Sequence, residues 1–331
     1  MNKLKLAIVG CGAVTDCSYV PVLKQHPDVE VRVVADRNQE AADKIGDLLG
    51  VGSREDDFKK IKDDVDAVII ALPNKLHKEA SSFFLAKGIH VLCEKPMANT
   101  VNDCDEIIAA AEKGKAKVMI GHVRRYYQTS KLVKEIISNN WLGRIKSFLF
   151  KEGGVFGWSS VSQFYFNKEH AGGGVLIDKG AHVLDLILWW LGDYERVDYY
   201  DDSFGGVEAN CELRLKMHSG AEGLVKMSRL IPMEKMIRIT GERGSLEFTP
   251  TDFNSLKLSL GKVQAINIDA SSGDNNNLNY YFRQQIDDFI SYIKNNQQPL
   301  ITAKEARRCV LLIEDCYKNA QKIDMPWARR S

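Results

Sequence analysis

The chain has 331 residues, of which 44% are apolar and 27% charged, and its formal net charge is +1. That length suits two domains of ordinary size, and the near-neutral balance gives no electrostatic reason to expect nucleic acid or an acidic membrane as a partner. Apolar runs are too short to span a bilayer; the longest, around Leu184–Leu191, contains Asp185.

Met1-Asn2-Lys3 leads straight into a strand-like run, Leu4 to Val9, so no secretory leader is expected. Gly10-Cys11-Gly12-Ala13-Val14-Thr15 follows, and then a helix-compatible stretch into Leu23. Strand, glycine-rich turn and helix in that order are the setting of a dinucleotide fingerprint. Gly10 would allow the tight turn and Gly12 would let a pyrophosphate approach the backbone, held by the N–H groups of the helix start. Thr15 stands where a third small residue is usual. The next strand, Val29 to Ala35, ends in Asp36-Arg37. An acidic residue about twenty positions past the turn suits the ribose hydroxyls of NAD and repels the extra phosphate of NADP. Arg37 keeps NADP open. Asp36 is also a candidate N-cap for a helix over Asn38–Leu49.

Asp66 to Leu72 is a continuous apolar run, as a buried parallel strand requires, and it stops at Pro73-Asn74. Asn74 reads as a cap for a helix that opens near His77 and closes at Gly88. His77 either faces the cofactor or is a solvated helix residue. Ile89 to Cys93 is a further buried strand. It delivers Glu94-Lys95-Pro96, and the proline ends the ladder, so Lys95 is held at a strand end. Strand C-termini of open parallel sheets are where ligands sit. A helix from Val101 to Glu112, a glycine stop at Gly114 and a strand over Lys117–Gly121 complete a β-α-β series, which predicts a doubly wound parallel sheet.

His122 to Tyr127 leads into a helix over Thr129–Asn139. Arg124, Arg125, Tyr126 and Tyr127 are compatible with interdomain packing and surface charge, and the family resemblance given below offers substrate contact as the alternative. After a strand from Ile145 through Glu152 comes a long aromatic loop with Phe156, Trp158, Phe164, Tyr165, Phe166 and His170. Aromatic faces there suit a sugar ring or a subunit contact equally. Gly172-Gly173-Gly174 precedes a helix from Val175 to Leu191 that is apolar almost all round and therefore buried. Asp178 and His182 lie one turn apart on one face of it, with Asp185 on the neighbouring turn. Ionisable groups in such a helix are expensive unless paired or open to a cleft. Trp189-Trp190 reads as core. From Val197 to Thr249 five strands, with Glu208, Glu212, Arg214 and Lys216 on a wet face, predict one large, mainly antiparallel sheet. A polar loop over Ser271–Asn279 and helices over Tyr280–Lys294 and Ala303–Ile323 end the chain. The seven cysteines are odd in number and form no CxxC pair, which argues for reduced thiols in the cytoplasm and gives no support to a metal site.

The ordered set Gly10-x-Gly12, Pro73-Asn74-x-x-His77, Glu94-Lys95-Pro96, Gly172-Gly173-Gly174 and Asp178-x-x-x-His182 resembles the glucose–fructose oxidoreductase and inositol dehydrogenase family, Gfo/Idh/MocA. The resemblance covers essentially the whole chain. It implies an NAD(P)-dependent oxidoreductase that transfers a hydride between nicotinamide and a secondary alcohol or ketone of a sugar, sugar nucleotide or cyclitol. It implies a Rossmann domain over 1–122 and an α+β domain with an open-faced sheet over 123–331, for substrate binding and oligomerisation, with a C-terminal helix that can pack back on the first. Lys95, Asp178 and His182 would be the catalytic group. The cofactor would meet Gly10, Gly12, Ala13, Val14, Asp36, Arg37, Leu72, Pro73, Asn74, His77, Glu94 and Lys95. The substrate would meet Lys95, Arg124, Tyr126, Trp158, Tyr165, Asp178 and His182. Lys179 replaces a usually apolar residue and bears on the choice of substrate. The exposed sheet face suggests a homodimer or homotetramer. Two other outcomes use the same residues or fold: a glycosidase working by oxidation, elimination and reduction, and a nucleotide or sugar sensor without chemistry.

Overall fold

The structure, a computed structural model, describes residues 3–62, 64–155, 157, 163–204, 206–261, 264–270 and 277–323. Trp158 and Phe156 of the aromatic loop lie outside the described residues, as does most of the polar loop before Asn277. The chain divides into two compact units. One takes Met1–Val123, Ser159–Phe164 and Asn277–Val310; the other takes Arg124–Trp158, Tyr165–Asn276 and Leu311–Ser331.

The first unit is built on six strands: β1 (Leu4–Val9), β2 (Val29–Ala35), β3 (Ser53–Glu55), β4 (Ala67–Ile70), β5 (His90–Glu94) and β6 (Val118–Gly121). They pair in parallel in the order β3-β2-β1-β4-β5-β6. This is the doubly wound order, and its switch point falls between β1 and β4. Every residue of β4 is buried, which explains its unbroken apolar sequence. The short edge strand β3 carries no apolar signal and is not legible in the sequence.

Side chains set the helix starts. Asn38 caps the helix Gln39–Leu49 by accepting from Ala41 N at 3.3 Å, and Thr100 caps Val101–Gly114 through Asp103 N at 3.1 Å. Asp36 is therefore not a helix cap. Nor is Asn74: it opens a single 3-10 turn, Asn74–Leu76, ahead of the helix His77–Leu85. Gly114 is not the stop signal of its helix either. Lys115 takes the left-handed conformation there (φ 52°), while a Cβ on Gly114 would lie 1.8 Å from the carbonyl oxygen of Leu85. The glycine lets two helices touch backbone to backbone.

The second unit holds a nine-stranded sheet. Its strands are β7 (Ile145–Gly153), β8 (Tyr194–Asp201), β9 (Asn210–Met217), β10 (Glu222–Ser228), β11 (Met236–Gly241), β12 (Gly244–Phe248), β13 (Ser255–Leu260), β14 (Ile266–Asp269) and β15 (Gln321–Lys322). The order is β14-β13-β12-β11-β7-β10-β9-β8-β15. All pairings are antiparallel except β7 with β10 and β8 with β15. The last helix ends at Lys318, short of Ile323, because Gln321–Lys322 leaves it to pair with β8. Along β9, Cys211, Leu213, Leu215 and Met217 face the core, while Glu212, Arg214 and Lys216 face outward. Glu208 breaks the expected pattern: it is buried, not on the wet face. Among the described residues no helix is long and apolar enough to cross a membrane.

The glycine-rich segment feeds a helix in two parts, a π-helical turn over Leu176–Gly180 and an α-helix over Ala181–Leu191. Asp185 sits inside the second part, 1% exposed, and Arg125, also 1% exposed, holds both its oxygens at 2.7 and 2.8 Å. The Arg125 guanidinium lies over the Trp189 ring at 5.2 Å. Removing one partner of such a pair strands a buried charge. Arg125→Met is expected to destabilise the protein by about 3–5 kcal/mol, and Arg125→Met with Asp185→Leu to recover most of that. Urea unfolding of the three proteins checks the prediction.

Candidate active site

In the first unit, the predicted cofactor residues gather at the C-terminal ends of β1, β2, β4 and β5. Gly10 has φ +99°, and a Cβ on it would lie 2.3 Å from the Ala71 carbonyl oxygen. Its role is thus close approach across the switch point as well as a turn. At Gly12 a Cβ would meet nothing within 4 Å, so it would fill the space over the turn that a pyrophosphate needs. Thr15, the odd residue of the fingerprint, turns its hydroxyl back to donate to the Gly10 carbonyl at 2.6 Å and is fully buried. It closes the turn instead of facing a ligand. Gly12, Ala13 and Val14 are partly exposed ahead of a π-helical turn, Thr15–Tyr19. Asp36 accepts from Cys11 N at 2.7 Å and from Asn38 N at 2.8 Å, one bond to each oxygen. Each oxygen keeps acceptor capacity for a ribose hydroxyl. Arg37 is exposed. These residues fit an adenine dinucleotide without a 2′-phosphate.

His77 departs from both sequence readings. It is 1% exposed, and its ring lies 2.7 Å from the Pro96 carbonyl oxygen through Nδ1 and 2.8 Å from that of Leu72 through Nε2. It ties the turn after β4 to the turn after β5. Burial, with help from the nearby Lys95 charge, holds its pKa below the ordinary imidazole value. A neutral ring has one N–H, so it donates to one of the two carbonyls at a time. Leu72, Pro73 and Asn74 remain partly exposed beside it.

Glu94 also turns inward. It is 8% exposed, and burial raises its pKa. Tyr19 donates to its Oε1 at 2.6 Å, Lys95 N donates to its Oε2 at 3.2 Å, and Gln285 donates in turn to the Tyr19 oxygen at 3.1 Å. Glu94 thus presents no carboxylate to a ligand; it fixes the backbone from which Lys95 emerges, half-buried, at the end of β5.

In the second unit, Asp178 lies on the π-helical turn with its side chain 20% exposed, and Arg229 donates to it at 3.3 Å. His182, on the first turn of the α-helix, is partly exposed. Arg124 forks onto Glu152 at 2.7 and 2.9 Å, so it is held by a carboxylate of β7. Tyr126 is 3% exposed with the Lys131 ammonium over its ring at 5.6 Å, which leaves little surface to meet a ligand. Tyr165 is half-buried and its carbonyl accepts from Arg229 at 3.3 Å.

Two groups the sequence reading missed hold this helix in place. Glu208 accepts from Gly174 N and Leu176 N, both at 2.8 Å, and from the Tyr317 hydroxyl at 2.8 Å. Its own carbonyl accepts from Val175 N at 2.9 Å. A Cβ on Gly174 would lie 1.9 Å from the Glu208 carbonyl oxygen, and one on Gly173 would lie 2.0 Å from the Tyr317 hydroxyl. The glycines are therefore a seat for Glu208 and Tyr317. Nothing near Glu208 in sequence signals this, because its partners are more than thirty and more than a hundred positions away.

Residues 4–122 match the model of the Gfo/Idh/MocA oxidoreductase family, with an NAD-binding Rossmann fold, and residues 130–247 match that of the Gfo/Idh/MocA C-terminal domain. The chain belongs to the Gfo/Idh/MocA family. Its first unit is an NAD-binding Rossmann domain. The Gfo/Idh/MocA relatives include D-glucoside 3-dehydrogenase of Escherichia coli K12, 34% identical over 199 residues that cover 58% of this chain and 55% of that protein. A putative UDP-kanosamine synthase oxidoreductase subunit of Amycolatopsis mediterranei is 28% identical over 57% of this chain and 52% of its own length. The chain thus spans about half the length of these curated relatives. The crystal structure of an aldose–aldose oxidoreductase from Caulobacter crescentus, complexed with glycerol, shares the fold at a TM-score of 0.86 and 24% identity, over 96% of this chain and 97% of that one.

Removing the Glu208 carboxyl would leave two backbone N–H groups and a phenol buried without an acceptor. Glu208→Ala is expected to lower stability by about 3 kcal/mol, and Glu208→Gln by less, since an amide oxygen still accepts. Urea unfolding measures both, with NAD titration as the control that the first unit is intact.

Proposed function

We propose that the protein oxidises a secondary hydroxyl of a sugar or cyclitol, or reduces the corresponding ketone, with NAD, and that Lys95, Asp178 and His182 are its catalytic residues. The observation that carries this reading is the sorting of charges on the helix Leu176–Leu191. Asp185 is sealed in an internal pair, whereas Asp178 and His182 stay partly exposed on a largely buried element. The dehydrogenase names of the family relatives support it, and no observation favours the glycosidase or the sensor reading.

The first unit would hold the cofactor: the Gly10–Val14 turn at the pyrophosphate, Asp36 at the ribose hydroxyls, and the Leu72–Asn74 turn alongside. NAD supplies the hydride acceptor when bound. An alcohol releases hydride only as its proton leaves, so a base must reach the oxygen. His182 has the chemistry for that near neutral pH. Lys95 stabilises the developing alkoxide with its charge. Asp178 orients a neighbouring hydroxyl and the imidazole. We assign residues 1–122 to the cofactor and 123–331 to substrate and subunit association, the latter as a homodimer or homotetramer through the charged sheet face of Glu212, Arg214 and Lys216. The free thiols of all seven cysteines suit a reducing cytoplasm.

The test is a panel of sugars, sugar nucleotides and inositols with NAD and NADP, followed by reduced-nicotinamide absorbance. Lys95→Ala and His182→Ala are each expected to slow hydride transfer by about a hundredfold or more while NAD still binds by calorimetry. Undiminished turnover in both would end the mechanism. Asp36→Ala is expected to move the preference toward NADP by about tenfold in kcat/KM, because it removes the charge that repels the 2′-phosphate.

A further inference from the structure

Positive side chains gather around Asp178. Arg124, Lys179, Arg229 and Lys235 lie within electrostatic or hydrogen-bond reach of Glu152 and Asp178. Glu152 is engaged by both nitrogens of the Arg124 fork, and Arg229 reaches Asp178 at 3.3 Å. That accounts for both carboxylates. Lys179 and Lys235 are left over. Lys179 lies on the π-helical turn between Asp178 and Gly180, half-buried, and makes no ion pair or hydrogen bond among the described residues.

A half-buried ammonium without an anion is unfavourable, since it loses water and gains no partner. Burial, the largest influence, lowers the Lys179 pKa although Glu152 and Asp178 pull it the other way, and Arg124 and Lys235 add to the lowering. Lys235 is exposed at the same cluster and adds to the positive field there. The positive potential is thus built next to a residue assigned to the reacting substrate. A hydroxyl does not need it; an oxyanion does.

Resting on the reading of Asp178 as a substrate residue, we propose that the substrate is a sugar bearing an oxyanion, a carboxylate or a phosphate, and that Lys179, assisted by Lys235, receives it. Lys179 is then a specificity-determining residue: it binds the anionic substituent and takes no part in the hydride step.

The experiment measures binding and turnover separately on the holoenzyme with NAD. Calorimetry compares glucose, glucuronate and glucose 6-phosphate, for the protein as it stands and for Lys179→Met, Lys179→Arg and Lys235→Ala. At least one of the two anions is expected to bind about tenfold more tightly than glucose, and the advantage to shrink with added salt. Lys179→Met should abolish it, Lys179→Arg retain it and Lys235→Ala reduce it. Preference for glucuronate alone identifies a carboxylate, and for the phosphate alone a phosphoryl group. Anions that bind no better than glucose, or a preference untouched by Lys179→Met with a normal unfolding curve, would overturn the proposal. An anion preference lost in Lys179→Met without any NADH formation would uphold it and count against the dehydrogenase reading alone.

Discussion

A carboxyl group taken out of water is unfavourable unless its oxygens are given donors. Both units contain such a group, and both satisfy it in the same way. Glu94 accepts from a tyrosine hydroxyl, Tyr19, and from the backbone N–H of Lys95. Glu208 accepts from a tyrosine hydroxyl, Tyr317, and from the backbone N–H groups of Gly174 and Leu176. Burial raises the pKa of both acids. Each carboxyl fixes main chain, not a side chain: the strand end that delivers Lys95 in one unit and the turn that aims Asp178 in the other. A residue's reach is set by its backbone before its rotamer, so these two acids set where the Lys95 ammonium and the Asp178 carboxylate leave the main chain, each in its own unit.

Signals carried by neighbours in sequence were legible; those carried by distant partners were not. The parallel strands β1, β4 and β5 stand out because burial on both faces demands nearly continuous apolar runs, and β9 because one wet face demands alternation. The edge strands β3, β14 and β15 are short or polar, and only pairing with a neighbour makes them strands. Lys95, Asp178 and His182 are candidates from a proline stop, a glycine turn and a one-turn spacing. Glu94 and His77 are candidates too, but their direction is not legible in the sequence. The family resemblance puts them at a cofactor, and the structure turns both inward, where they brace the turns after β4 and β5. Glu208 was read as part of an alternating strand, since nothing local distinguishes it from Glu212. The glycines at 173 and 174 stand out in the sequence as the approach to the helix and as part of the family motif, yet their reason is the bulk of Tyr317 and Glu208, which only the folded chain brings against them.

Consecutive arginines show how the environment divides identical side chains. Arg124 and Arg125 follow each other on one turn, and each forks onto a carboxylate, Glu152 and Asp185 respectively. Fork geometry fixes direction as well as distance, so two forks from adjacent residues hold that turn from two sides. An apolar pair of similar volume in place of Arg125 and Asp185 would serve stability about equally well. It would not fix the orientation of Arg124. With Arg124 committed to Glu152, that carboxylate offers Lys179 its field but no hydrogen bond, and the gathering of positive charge beside Asp178 follows from how the turn is held. The field that favours an anionic substituent is in this sense a product of the structural pairs around it, and altering Glu152 or Arg124 would change it without touching either lysine.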